Sequence, residues 1–258
     1  MIGVFDSGVG GLSVLTEVNR LLPMTDLIYL ADRGHGPYGF RSLDDVKALA
    51  ERCTRLLIEE GAGLIVIACN TASAAALHYL RARYPELPFV GMEPAVKPAV
   101  AITRSGVVGV LATQATFQGE LFESVVGRFG NGVEIITQAC AGWANLVEAG
   151  ITQGPEVDRA VAAHLDPVLA QGADTLVLGC THYPFLRSAI SARAGGWVSI
   201  VDPAYAVARR TLGIWGGRAN GSGATRLLTT GSAADTRRVV ADLTGLDQIV
   251  TAVTLPPE

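Results

Sequence analysis

One layout occurs twice in this chain and limits what it can fold into. Gly63-Leu64-Ile65-Val66-Ile67-Ala68-Cys69-Asn70-Thr71 and Ala173-Asp174-Thr175-Leu176-Val177-Leu178-Gly179-Cys180-Thr181 run in parallel. Each is a short apolar run, a small residue, a cysteine, and then hydroxyl or amide side chains. An uninterrupted apolar run of this length suits a strand covered on both faces, as in parallel sheets. A second echo lies upstream of each, Gly3-Val4-Phe5-Asp6-Ser7 and Gly109-Val110-Leu111-Ala112-Thr113. The chain therefore reads as two similar halves, each presenting a cysteine at the carboxyl end of a strand. In open α/β sheets, ligands bind at that edge.

The rest of the pattern agrees. Further strands are expected at Ile2–Phe5, Leu27–Leu30, Phe89–Met92, Val107–Leu111, Val133–Thr137 and Ser199–Val201. Helical spacing marks Leu12–Leu21 and Ser42–Glu60. Alternating strands and helices predict an α/β fold. Its two pseudo-symmetric domains would each be a mainly parallel sheet under helices, with the active site in the cleft between them. No Gly/Ser-rich linker separates the halves. Glu93–Pro98, with two prolines, is the expected crossing, and Asp202-Pro203 the return. The expected domains are residues 1–94 with 204–258, and 95–203, the final helices rejoining the first.

Composition removes several classes of function. A net charge of −4 gives no electrostatic footprint for nucleic acid. Mean hydropathy is +0.35, and Gly61–Leu80 has no formal charge. A membrane span is nevertheless rejected there, because Asn70, Thr71, Ser73 and His78 interrupt it and a strand leading into an alanine-rich helix explains the same residues. No secretory signal is visible, so a cytoplasmic protein is expected.

The four cysteines are Cys53, Cys69, Cys140 and Cys180, with no CxxC pair. Disulfides are not expected in the cytoplasm. Cys53 falls in an amphipathic helical pattern, and it and Cys140 read as buried apolar residues. Cys69 and Cys180 differ, because backbone N–H groups at a strand-to-helix turn favour a thiolate. Two facing thiols suit racemisation, in which one group removes a proton from Cα and another returns one to the opposite face. Pyridoxal phosphate needs a Schiff-base lysine. Only Lys47 and Lys97 exist, neither in a phosphate-binding context, so no cofactor is expected.

The glycine-rich turn Asp6–Gly11 can receive a carboxylate at a helix N-terminus. Ser7, Asn70, Thr71, Thr113, Thr116 and Thr181 add polar groups at comparable strand ends, though each could equally be an ordinary helix cap. His182, two residues after Cys180, can tune that thiol or pass it a proton. Asp6 is the matching group for the other half. His35, His78 and His164 have no such company.

These stretches, with Phe5-Asp6-Ser7-Gly8-Val9-Gly10-Gly11, Gly36-Pro37-Tyr38-Gly39, Gly91-Met92-Glu93-Pro94 and Leu178-Gly179-Cys180-Thr181-His182-Tyr183-Pro184, resemble the glutamate racemase family in order along almost the whole chain. The resemblance implies two α/β domains around one site, and interconversion of L- and D-glutamate that feeds peptidoglycan synthesis. It implies Cys69 and Cys180 as catalytic residues, with Asp6 and His182 assisting and Glu148 as a further assisting carboxylate. Ser7, Tyr38, Gly39, Asn70, Thr71 and Thr181 fall on its substrate-contact positions. The chain departs at Cys140-Ala141, where many members have Cys-Pro, and at Phe117 to Phe122, where many have a tyrosine. Those departures concern dimer geometry in the second domain's loops, and a homodimer stays open. Members activated by a cell-wall precursor tend to carry an N-terminal extension, so that regulation is not expected here. Rival readings are an aspartate or hydantoin racemase, and a protein that binds DNA gyrase, as some glutamate racemases do.

Overall fold

The computed structural model describes residues 1–130, 132–216, 218 and 221–257. The first part of the chain supplies β1 (Ile2–Asp6), α1 (Leu12–Leu21), β2 (Leu27–Ala31), α2 (Leu43–Glu59), β3 (Ile65–Ile67), α3 (Asn70–Arg83) and β4 (Phe89–Gly91). Next come α4 (Val96–Ile102), β5 (Val107–Ala112), α5 (Gln114–Phe117), α6 (Glu120–Phe129), β6 (Glu134–Ala139), α7 (Trp143–Glu148), α8 (Pro155–Ala170), β7 (Thr175–Gly179), α9 (Arg187–Ala194) and β8 (Ser199–Val201). The chain then adds α10 (Ala204–Trp215), β9 (Thr225–Thr229), α11 (Ala233–Thr244) and β10 (Val250–Ala252).

The strands form two sheets, ordered β10-β9-β2-β1-β3-β4 and β6-β5-β7-β8. Every pairing is parallel. The repeat seen in the sequence is a repeat in topology. β1 lies between β2 and β3, and β5 lies between β6 and β7. Cys69 follows β3 and Cys180 follows β7, so each thiol leaves the neighbour of a central strand at its carboxyl end. Asp6 closes β1, and Thr113 follows β5 in the corresponding place.

The strand pleat explains why such apolar runs are needed. Phe5, Ile28, Leu30, Ile65 and Ile67 join one cluster with Val46, Leu57 and Leu77 of α2 and α3. Their neighbours Ile2, Val4, Leu27, Tyr29, Leu64 and Val66 join another cluster, with Val14 and Val18 of α1 and Ala208 of α10. Successive side chains point to opposite faces, so a sheet covered twice has no polar register. Each large apolar side chain buried this way contributes roughly 1.5–3 kcal/mol. Helix α2 starts where Ser42 accepts a hydrogen bond from the Asp45 amide, with Asp44 and Asp45 favourably placed in its first turn.

The fold departs from expectation at the C-terminal part. Helices alone were expected beyond Asp202-Pro203, yet two strands are present there. β9 pairs with β2 and β10 extends the sheet. The charge-free stretch from Gly61 divides into β3 and the 14-residue α3. Among the described residues, no helix is long and apolar enough to cross a membrane.

Candidate active site

Cys69 caps α3. Its Sγ accepts the Ala72 amide at 3.4 Å and donates to Ser7 Oγ at 3.7 Å. This is the helix-start geometry expected to favour a thiolate, but burial outweighs it. Burial, helped by the negative charge of Asp6, pushes the Cys69 thiol up to about 12. A negative charge on Cys180 acts in the same direction, so the two thiols feel each other.

Cys180 has a different setting. The chain after it makes a single tight turn, Tyr183–Leu186, rather than a long helix. Its partner is His182, whose Nδ1 lies 3.6 Å from the Cys180 Sγ. His182 Nε2 lies 2.7 Å from Glu148 Oε1. Burial alone would lower the His182 pKa, but its bonds to Cys180 and Glu148 raise it well above the ordinary value. Burial alone would raise the Glu148 carboxyl. Its bonds to His182 and the Val9 amide, with the Arg33 charge, hold it below the ordinary value instead.

Asp6 is fully buried and does not bond directly to Cys69. Its Oδ2 accepts from Thr181 Oγ1 at 2.9 Å and its Oδ1 from the Gly8 amide at 2.8 Å. It reaches Cys69 through its charge. Burial raises the Asp6 carboxyl to about 6, against the opposing pull of His182 and Thr181.

Two glycines make this closeness possible. A Cβ on Gly10 would press on His182 Nδ1 and Thr181 Oγ1, and a Cβ on Gly8 would overlap Glu148 Oε1. The turn after β1 therefore sits directly against the acid–base groups of the second sheet. The Val9 amide donates to Glu148 Oε1 at 2.6 Å, and Ser13 Oγ donates to the Thr181 carbonyl at 3.2 Å.

The predicted polar residues divide into three groups. Thr71, Thr113 and Thr116 form a triangle of hydroxyls, with Thr71–Thr113 at 3.0 Å and Thr113–Thr116 at 2.9 Å. That triangle joins the end of β3 to the end of β5. Asn70 is buried, and neither its amide nitrogen nor its oxygen has a hydrogen-bond partner among the described residues. An orphaned buried amide is costly, about 1–3 kcal/mol, unless a ligand satisfies it. The Tyr38 hydroxyl is buried and donates to buried Asp32. Gly39 follows in the same turn, against the Thr113 side chain.

Sequence reasoning missed two groups. Asp32 accepts from Tyr38 and from Thr230 Oγ1 at 2.6 Å, and pairs with His35 Nδ1 at 2.7 Å, so the neighbour of His35 is a buried carboxylate rather than a thiol. Arg33 holds Glu148 from the opposite side to His182, with Nε to Oε2 at 2.7 Å. Both follow β2, and a charged pair after a strand was the available signal.

A family model described as Asp/Glu/Hydantoin racemase matches residues 2–211. A curated glutamate racemase from Herpetosiphon aurantiacus is 53% identical over 81% of this chain and 82% of its own length. The crystal structure of a glutamate racemase isoform from Bacillus anthracis superimposes with a TM-score of 0.91 at 33% identity, covering 100% of this chain and 98% of the other. The Escherichia coli glutamate racemase, crystallised with L-glutamate and the activator UDP-MurNAc-ala, gives 0.89 at 31% identity over 99% and 98% of the two chains. With two thiols at equivalent strand ends and these relatives along its length, the chain belongs to the Asp/Glu/hydantoin racemase family and is an amino-acid racemase.

Proposed function

We propose that the chain interconverts L- and D-glutamate by proton transfer between Cα and two cysteines, without a cofactor. The observation that carries this reading is the pair of thiols at equivalent strand ends, each with its own acid–base company. The glutamate racemases it resembles support the choice of substrate. Asn70, with unmet hydrogen-bonding capacity, binds the charged end of the substrate together with Ser7, Thr71, Thr113, Thr116, Thr181 and the backbone at Tyr38 and Gly39. Cys69 and Cys180 flank Cα.

In one direction the Cys180 thiolate takes the Cα proton of L-glutamate, while His182 carries the positive charge that stabilises the thiolate. The Cys69 thiol then gives its proton to the opposite face. D-Glutamate leaves a Cys69 thiolate and a Cys180 thiol, and the reverse reaction starts from that state. Asp6 assists on the Cys69 side, while His182 and Glu148 assist on the other. Lys47 pairs with Asp44 and Lys97 lies over the Phe129 ring, so both lysines are engaged elsewhere.

Residues 1–94 with 204–258 form the first domain in this reading, and 95–203 the second. The product D-glutamate supplies peptidoglycan in the cytoplasm. The deciding experiment is circular dichroism of the protein with L-glutamate in deuterium oxide, with no added cofactor. Loss of optical rotation with deuterium incorporated at Cα is the expected result. No change with glutamate but turnover of aspartate or a hydantoin would reassign the substrate.

A further inference from the structure

The Arg33 guanidinium makes four directed contacts. Its Nε donates to Glu148 Oε2 at 2.7 Å, and its Nη2 donates to the Glu148 backbone carbonyl at 2.8 Å. Its Nη1 donates to Asp235 Oδ2 at 2.9 Å and to Thr236 Oγ1 at 3.1 Å. Glu148 ends α7 beside the four-stranded sheet. Asp235 and Thr236 begin α11 beside the six-stranded one. One guanidinium thus fixes the last carboxylate and last carbonyl of α7 against a helix of the other sheet. The pair is largely shielded, with side chains 12% and 16% exposed. A planar guanidinium can serve this fork of acceptors at once, and an ammonium cannot.

The contacts continue to the chemistry. Glu148 Oε1 meets His182 Nε2, and His182 Nδ1 meets the Cys180 sulfur. No comparable chain reaches Cys69 among the described residues, where the near groups are Ser7 and the Ala72 amide. We infer that Arg33 is a positioning residue for the Cys180 half of the reaction, locking Glu148 and through it His182 onto that thiol when the two sheets are docked. This inference rests on the two-cysteine reading above.

Racemisation in water has an equilibrium constant of one, so damage to one face lowers kcat/KM equally in both directions. The damaged face is identified by which proton transfer becomes more limiting. Arg33→Gln should lower kcat/KM by roughly 10- to 100-fold, the scale of a misplaced catalytic group. The primary isotope effect on kcat/KM should rise with L-glutamate deuterated at Cα, whose proton Cys180 removes. It should fall with deuterated D-glutamate, whose proton Cys69 removes. Arg33→Lys should recover only part of the rate. Asp235→Asn, which removes the outer anchor and leaves the Glu148 pair in place, should raise the effect for deuterated L-glutamate and lower that for deuterated D-glutamate by less than Arg33→Gln does, and it serves if Arg33→Gln does not fold. Isotope effects that stay at their wild-type values, or move together, would overturn the inference whatever the loss of rate. If the wild-type protein exchanged no Cα proton of glutamate, the underlying reading would fall, and this one with it.

Discussion

The two thiols occupy the same place in two similar sheets, yet their surroundings have little in common. Cys69 faces a hydroxyl, one amide and a buried carboxylate, and its proton is held tightly, to about 12. Cys180 faces an imidazole backed by Glu148 and Arg33. Topological symmetry sets where the sulfurs sit, and the side chains around them differ, a hydroxyl and an amide at Cys69 and an imidazole at Cys180. In the two-cysteine reading proposed above, one thiol is ionised and the other protonated in each direction, because with both protonated or both ionised one transfer is missing.

The most severe way to break the comparison is to remove each sulfur in turn. Cys69→Ala and Cys180→Ala should each cost at least about 1,000-fold in racemisation, the upper range for a lost acid–base group. Wild-type turnover in either variant would end the two-base account. Removing a supporting group should cut less deeply and make one of the two proton transfers more limiting. His182→Asn is expected to lose roughly 10- to 1,000-fold, with the isotope effect rising for deuterated L-glutamate as for Arg33→Gln. Equal shifts for both enantiomers would show that the imidazole serves both thiols.

Asp6 sharpens the contrast through stability. Its carboxyl is ordinary at 3.8 when exposed and lies at about 6 when folded. Below the lower value it is protonated in both states and costs nothing. Between the two values the folded state binds the extra proton, so stability falls as pH rises, and above about 6 the full penalty applies. Asp6→Asn should therefore stabilise the fold by roughly 1–3 kcal/mol above that window and by little below it, while lowering activity. Urea unfolding at the two ends of the range measures this. A variant less stable than wild type at high pH would show that the bonds to Thr181 and Gly8 outweigh desolvation. The smallest functional effect is expected at Cys53, fully buried and 3.9 Å from the Tyr38 hydroxyl. Cys53→Ala should cost about 1–2 kcal/mol of stability and leave kcat/KM within about twofold, since the proposed proton transfers use only the strand-end pair.

Much of this was legible in the sequence because local rules carried it. β1 to β8 announced themselves as apolar runs, and the cysteines as breaks at their ends. β9 did not, because Thr225-Arg226-Leu227-Leu228-Thr229 mixes both kinds of residue, and β10 is short and largely exposed. The helix-start argument for a thiolate failed at Cys69 because desolvation, a property of the packed interior, exceeds what one amide offers. Arg33 showed only as half of a charged pair after β2, and its contacts were hidden for another reason. Its partners stand 115, 202 and 203 residues away, and no spacing rule reaches that far. Tyr38 could be placed near the site, but only the fold reveals that its hydroxyl is directed to Asp32.

The strand order has a consequence in time. The four-stranded sheet is built from consecutive segments, Val107 to Val201, and can close once its last strand has left the ribosome. β2 must wait with a bare edge until Thr225–Thr229 emerges, a delay of about 10–40 s at ordinary rates of synthesis. A buried-type strand edge left open is a template for pairing with other chains. A nascent chain that stops short of β9 would hold both sulfurs and their partners Ser7 and His182, and still be a hazard, because it lacks the strand that shields its sheet.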